Sequence, residues 1–266
     1  MKIIISHDVD HYQWTDHIFK DLFIQKHLFR SHAHLFGGKI TVAEYMRRLL
    51  LLTNNRQHRL PEIIRFNQAY NIPSTFFIGM NNGLGLSYNY SNAKKIVRII
   101  KENDPDADIG VHGIAFNEMG AMQEEYEKLD AIISGEFGIR MHYLRKDSTT
   151  LEHLSSIGYL FDSTTYELRN PYPVGGMVEF PVSVMDVSVV KGKDFNKIRE
   201  RTLAVINTAL QKDLAYFTVI FHDIYFDKGY SLFADWYTWL VEYFHKQGMQ
   251  FISFRQAIQE MNQSGI

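Results

Sequence analysis

A chain of 266 residues, 45% hydrophobic and 22% charged, has the material for one large core or two small ones. Its net charge of −2 lacks the basic excess of a nucleic-acid binder, and the lack of cysteine excludes disulfides, thiolate zinc sites and a cysteine nucleophile. The first apolar run is about four residues long, against the roughly 7–15 of a signal-peptide core, and no run reaches the roughly 18 of a membrane helix, so a soluble cytoplasmic protein is expected.

The chain opens MKIIISHDVDH. Residues 2–6 read as a short buried strand. Its two-residue period places Asp8 and Asp10 on one face, His7 and Val9 on the other. Two carboxylates so close call for a metal ion, a shared proton or a neighbouring cation. Residues 11–41 then break the rhythm: a helix-like stretch near 14–29 is followed by RSHAHLFGGK, where His32 and His34 read as loop decoration. An insertion after a strand's C-terminal end falls on the site face of an α/β barrel, as a lid or substrate loop.

Helices are predicted over 44–52 and over 60–69, the latter with Pro61 in its first turn. A strand over 74–78, a helix over 92–102 and a strand over 108–112 follow, the last presenting His112 in DIGVHG. A helix over 122–136 leads to a strand over 141–144, which presents Arg145 and Asp147 in YLRKDS. The helix over 150–157 ends at Gly158, a natural C-cap, before a strand over 159–161 and Asp162. A helix over 194–211 precedes a strand over 216–222, which presents His222 and Asp223. A helix over 232–245, a strand over 250–252 and a helix over 254–261 complete the chain. This alternation, without repeat or linker, predicts one α/β domain over 1–266 with parallel strands.

The C-terminal rim of a parallel sheet is where such folds build sites, and four predicted strands deliver Asp, His, Arg and His to it. Each residue has a plainer reading. Asp8 and Asp10 suit a turn, His112 a hydrogen bond at a strand end, Arg145 a surface ion pair, and Asp162 the cap of the next turn. His222 stands out because it closes the apolar run YFTVIF.

The order of these pieces resembles the polysaccharide deacetylases, the NodB-homology group of carbohydrate esterase family four. ISHDVDH resembles that family's first motif, STFFIG its second strand and DIGVHG the start of its His box. HYLRKDSTTLEHLSSIGYLFDST resembles its Arg motif with the following helix and strand, EFPVSVMDVSVV the stretch after it, and FTVIFHDIYF the late strand that ends in a catalytic His. The resemblance implies a distorted (β/α) barrel of about seven strands and removal of acetyl groups from sugars. It also implies a divalent metal, zinc first, with cobalt, manganese or nickel as alternatives.

Carried over by position, Asp8 is the general base, Asp10 and His112 are metal ligands, Arg145 holds the base and His222 is the general acid. Asp147, Asp162 and Asp223, on the same rim, are the expected substrate contacts. The chain departs from the pattern at Phe116, where the His box has its second His, and at Lys146, where a proline is usual. Asn117, Glu118, His7 and His11 are the substitutes within reach by sequence; an oxygen donor among them would favour a harder ion than zinc.

The expected function is hydrolysis of an acetyl group on a nucleotide- or lipid-linked sugar of surface polysaccharide assembly, such as O-antigen or capsule. The alternative is an inactive, sugar-binding protein on the same fold, supported by Phe116. A two-carboxylate glycosidase needs its acids on opposite sides of the sugar, roughly 5–9.5 Å apart, and Asp8 and Asp10 are too close in sequence for that. A metallophosphatase calls for a richer Asp/His/Asn cluster.

Overall fold

The computed structural model describes residues 1–17, 20 and 22–264. Nine strands form one sheet: β1 Lys2–Val9, β2 Thr75–Ile78, β3 Asp108–Gly113, β4 Ile139–Met141, β5 Phe161–Asp162, β6 Tyr172–Val174, β7 Met177–Glu179, β8 Val182–Met185 and β9 Tyr216–Ile220. Their order is β6-β7-β5-β4-β3-β2-β1-β9-β8, all parallel except the β6–β7 pair. β7 lies next to the β6 edge of this order and β8 forms the other edge, yet only Phe180 and Pro181 separate them. One extended segment therefore bridges the two ends, and the sheet curls into a distorted (β/α) barrel.

The helices are α1 Phe23–Phe36, α2 Val42–Thr53, α3 Leu60–Ala69, α4 Tyr90–Asn103, α5 Met119–Ile133, α6 Thr150–Ile157, α7 Asp186–Val189, α8 Phe195–Gln211, α9 Ser231–Lys246 and α10 Phe254–Ser264. Alternation along β1 divides the core. Ile3, Ile5 and Val9 face the helical layer and join its large apolar cluster. His7 faces the same way, donating from Nδ1 to the Phe221 carbonyl at 2.9 Å and accepting at Nε2 from Asn67 Nδ2 at 2.8 Å. Ile4, Ser6 and Asp8 lie on the opposite face, toward the barrel axis.

The N-terminal end of the barrel is filled with aromatics. Ile4, Phe77, Phe161 and Phe180 form a second cluster with Phe254, Ala257, Ile258 and Met261 of α10. The Phe161 and Phe254 rings stack at 4.4 Å. Gly138 makes room for this packing, since a Cβ there would fall 2.3 Å from the Phe161 ring. With that end closed by apolar side chains, polar groups on the same face gather at the C-terminal end.

Four differences from the sequence reading matter. The fourth strand lies earlier than 141–144, at Ile139–Met141, and the chain turns immediately after it. Residues 250–252 contribute only an isolated bridge from Phe251 to Ile3. β6, β7 and β8 were not anticipated; they are short, interrupted by Pro173, Gly175–Gly176 and Pro181, and lack a readable period. The 11–41 insertion does contain a helix, at Phe23–Phe36 rather than 14–29, so His32 and His34 are helical. α2 begins as a capping box, with Thr41 accepting from the Glu44 amide and Glu44 accepting from the Thr41 amide.

Candidate metal and catalytic site

The site grows from sheet register. His112 of β3 pairs with Arg140 of β4, while Asp8 of β1 pairs with Phe77 of β2, so these side chains share the inward face near the rim. Asp10 follows Asp8 by one period. His142 follows Arg140 by one period, beyond the strand, where Tyr143 and Leu144 adopt left-handed backbone at φ 57° and 52°. Leu84, whose carbonyl meets the His142 ring, is left-handed as well, at φ 53°. Such conformations cost roughly 1 kcal/mol or more each in non-glycine residues and concentrate where geometry matters more than stability.

Asp10, His112 and His142 bring one ligand atom each to within 4.8 Å of one another. Asp10 Oδ1 lies 3.2 Å from His112 Nε2 and 3.4 Å from His142 Nδ1, and this buried oxygen accepts no well-formed hydrogen bond. Each imidazole donates its far N–H to a backbone carbonyl: His112 Nδ1 to Arg140 at 3.0 Å, His142 Nε2 to Leu84 at 3.2 Å. That fixes both tautomers and turns the lone pairs of His112 Nε2 and His142 Nδ1 toward each other, 2.9 Å apart. Two lone pairs and a carboxylate converging without a donor repel unless a cation sits among them. The residues fit a divalent ion, with two nitrogens and one oxygen as donors and the outer hydrogen bonds typical of metal-bound His.

Beside this triad, Asp8 Oδ1 accepts from Arg140 Nη1 at 2.8 Å, and Asp8 Oδ2 faces His112 Nε2 at 3.9 Å. Arg140 is fully buried, donates also to the Ser163 carbonyl and hydroxyl at 2.9 Å, and stacks over Phe77 at 4.3 Å. Burial pushes the Asp8 carboxyl up, but Arg140, then His112 and His222, outweigh it and hold Asp8 below the usual carboxylate range.

Across the rim, His222 Nδ1 lies 3.0 Å from both oxygens of Asp186, which also accepts the His222 amide at 2.7 Å. His222 Nε2 points to Asp10 Oδ2 at 3.8 Å. Burial lowers the His222 pKa, but Asp186, followed by Asp10 and Asp8, pushes it up to about 10.

The remaining sequence candidates fall elsewhere. Arg145 does not reach Asp8; its guanidinium stacks 4.1 Å above Phe116, and Arg140 takes the role expected of it. Asp147 is exposed and caps the start of α6 through the Thr149 and Thr150 amides. Asp162 is fully buried beside Glu179 and holds Thr164, the turn cap that was its plainer reading. Asp223 is buried and accepts the Arg59 amide at 2.7 Å. Asp147 thus lies on the surface, while Asp162 and Asp223 are buried and held by backbone amides. Phe116 is half-buried and Asn117 and Glu118 are exposed; the third group facing the metal position is His142, from the turn just after β4. His7 faces the helical layer, and His11 packs against His17 with a 3.0 Å contact between ring nitrogens.

Arg140, His142 and Asp186 escaped the sequence reading. Their signal was faint but physical: a charged residue and an imidazole two apart in IRMHYL, and one acid in the apolar run VSVMDVSVV.

No family model and no curated protein matches the chain. Solved structures do. A Mycobacterium smegmatis protein provisionally named a polysaccharide deacetylase superposes at TM-score 0.63 and 16% identity, over 100% of this chain and 92% of that one. A glycoside hydrolase family 57 branching enzyme from Thermococcus kodakaraensis superposes at 0.55 and 7% identity, over 97% and 71%. A protein from Bordetella bronchiseptica, provisionally named a polysaccharide deacetylase of O-antigen biosynthesis, gives 0.43 and 14% over 84% and 72%. Among the described residues no helix is long and apolar enough to cross a membrane. The fold hosts more than one sugar chemistry, so function has to be argued from the site, but the architecture itself is settled: this chain has the fold of the polysaccharide deacetylases.

Proposed function

We propose that the protein is a metal-dependent deacetylase that hydrolyses an acetyl amide or ester on a sugar, in an intracellular step of surface polysaccharide assembly. The observation that carries this reading is the convergence of Asp10, His112 and His142 on one point, flanked by the Asp8–Arg140 and His222–Asp186 pairs. A divalent ion held by the triad supplies Lewis acidity toward the acetyl carbonyl and lowers the pKa of water; two imidazoles and one carboxylate suit zinc, with cobalt, manganese and nickel as alternatives.

Asp8 stays ionised because Arg140 opposes its desolvation, and its second oxygen faces the reaction space as general base. His222 stays protonated because Asp186 backs it, and its Nε2 presents the proton to the departing amine or alkoxide. A positioned acid of this kind contributes roughly 10²–10⁴ in rate. Asp186 accepts from Nδ1–H and so orients the ring with its Nε2–H toward the reaction space.

The inactive alternative rested on Phe116; the place of His142 beside Asp10 and His112 argues against it. The test is acetate release from N- and O-acetylated sugars by protein loaded with Zn²⁺, Co²⁺, Mn²⁺ or Ni²⁺. Release that needs both metal and Asp8 supports the reading. Tight metal binding with no release across that panel would leave a sugar-binding protein.

A further inference from the structure

A cavity of about 560 Å³ opens beside the metal-facing residues, between the α1–α2 hairpin and the barrel rim. It shares its wall with the site. His11 follows Asp10, Tyr143 follows His142, Leu84 carries the carbonyl that orients His142, and the Tyr225 ring lies 5.8 Å from His222. The size suits a ligand larger than one acetylated sugar.

Its chemistry is one-sided. Lys26, Arg30 and Arg48 line it together with His27 and His34, and no carboxylate does among the described residues. Arg48 is the informative member. It is only 7% exposed, and among the described residues no carboxylate forms a direct ion pair with it; the charge of Glu44, one helical turn away, is felt but not in contact. Its Nε donates to the Gly229 carbonyl at 2.6 Å, its Nη1 approaches His34 Nδ1 at 3.4 Å, and its guanidinium lies 4.4 Å over the Tyr230 ring. The nearby acids are engaged elsewhere: Asp227 binds Arg47 and Arg59, and Glu44 is held by Thr41 and Ser231. Arg30, on the same wall, is exposed and makes no ion pair among the described residues. Burial lowers the pKa of His34, and Arg48, Lys39 and Arg30 lower it further, as a region of positive potential does.

A buried guanidinium with no carboxylate in direct contact is costly, and an oxyanion that enters with a ligand relieves that cost. Arg30 and Arg48 around one space favour an anionic group, and the guanidinium fork matches phosphoryl oxygens. We propose that this cavity binds a phosphate or diphosphate carried by the sugar substrate, so that the enzyme acts on an activated, phosphate-linked sugar rather than on a neutral one. Tyr225 and Phe233, stacked at 4.3 Å, add an aromatic wall for the rest of the ligand. This deepens the deacetylase reading and rests on it for the identity of the reacting group.

The test is direct binding by calorimetry, on metal-loaded protein, of UDP-N-acetylglucosamine, N-acetylglucosamine 1-phosphate and N-acetylglucosamine. The phosphorylated ligands are expected to bind at least about tenfold tighter than the neutral sugar, and to weaken as salt screens the cavity. Arg30→Ala, at an exposed position, is expected to weaken them about tenfold while leaving the neutral sugar unchanged; Arg48→Met is expected to do more if it folds. Phosphate held only on the metal would ignore Arg30→Ala, and that result overturns the proposal. So does equal affinity for neutral and phosphorylated sugars. Acetate release is followed separately: Arg30-dependent phosphate binding without acetate release removes the deacetylase reading and leaves the cavity assignment standing.

Discussion

Replacing Arg140 by Met separates the two arginines that compete for the role beside Asp8. Arg140 is fully buried and supports Asp8 at 2.8 Å, the Ser163 carbonyl and hydroxyl at 2.9 Å, and the Phe77 face at 4.3 Å. Its loss leaves a desolvated carboxylate with no counter-ion, a change that typically costs about 3–5 kcal/mol. Arg145→Met removes only a half-exposed stack on Phe116, worth about 0.5–1 kcal/mol. The difference has a pH signature. With Arg140 gone from chelator-treated protein, only His112 and His222 still oppose burial, and the folded pKa of Asp8 is expected to rise above the unfolded value. A raised acid contributes stability below the unfolded pKa and loses it as pH rises, so Arg140→Met is more destabilising at pH 8 than at pH 5. Urea unfolding at both pH values measures this. Equal, small effects of the two substitutions would refute the reasoning, as would a penalty that grows toward low pH.

Three other outcomes follow from buried groups. His7 is lowered to about 4, chiefly by burial, so its neutral form stabilises the fold above pH 6.5 and that stability is lost as pH falls toward 4. At 1.36 kcal/mol per unit the loss is about 3 kcal/mol, and His7→Gln should flatten the urea-derived stability curve of chelator-treated protein by that amount over this window. Asp162 is pushed well above its ordinary value by burial and then by Glu179, so it disfavours the folded state as pH rises; Asp162→Asn should gain stability over the parent at pH 8 but not at pH 4, read by thermal melts. Asp186→Asn should lower the rate of acetate release by about 10²-fold or more through the His222 tautomer, with metal content unchanged; lost metal instead would assign Asp186 to the metal site.

Strand-ended motifs were legible because residue type and position agree. Asp8, Asp10, His112 and His222 follow apolar strands whose period could be read, and all four reach one rim. Arg140 and His142 were hidden by register. Placing the fourth strand at 141–144 made Arg145 the residue at its end; the actual strand, Ile139–Met141, turns Arg140 inward and lets His142 follow. A displaced register exchanges which residues face the core, and a sheet edge with three-residue strands gives little pattern to fix it. The left-handed backbone at Tyr143 and Leu144 is invisible in sequence, since neither residue favours it. The expectation that Phe116 vacates a ligand position assumed that ligands come from one loop. Here the third comes from the turn after the neighbouring strand, and Phe116 packs under Arg145.

Metal stoichiometry tests the central claim most directly, in protein purified without chelator and in Asp10→Ala, His112→Ala, His142→Ala and Phe116→Ala variants. The account predicts about one divalent ion per chain in the parent and in Phe116→Ala, and loss of about 10-fold or more in affinity in each of the other three. Retention of metal by His142→Ala would contradict it, because the triad would then not be what holds the ion.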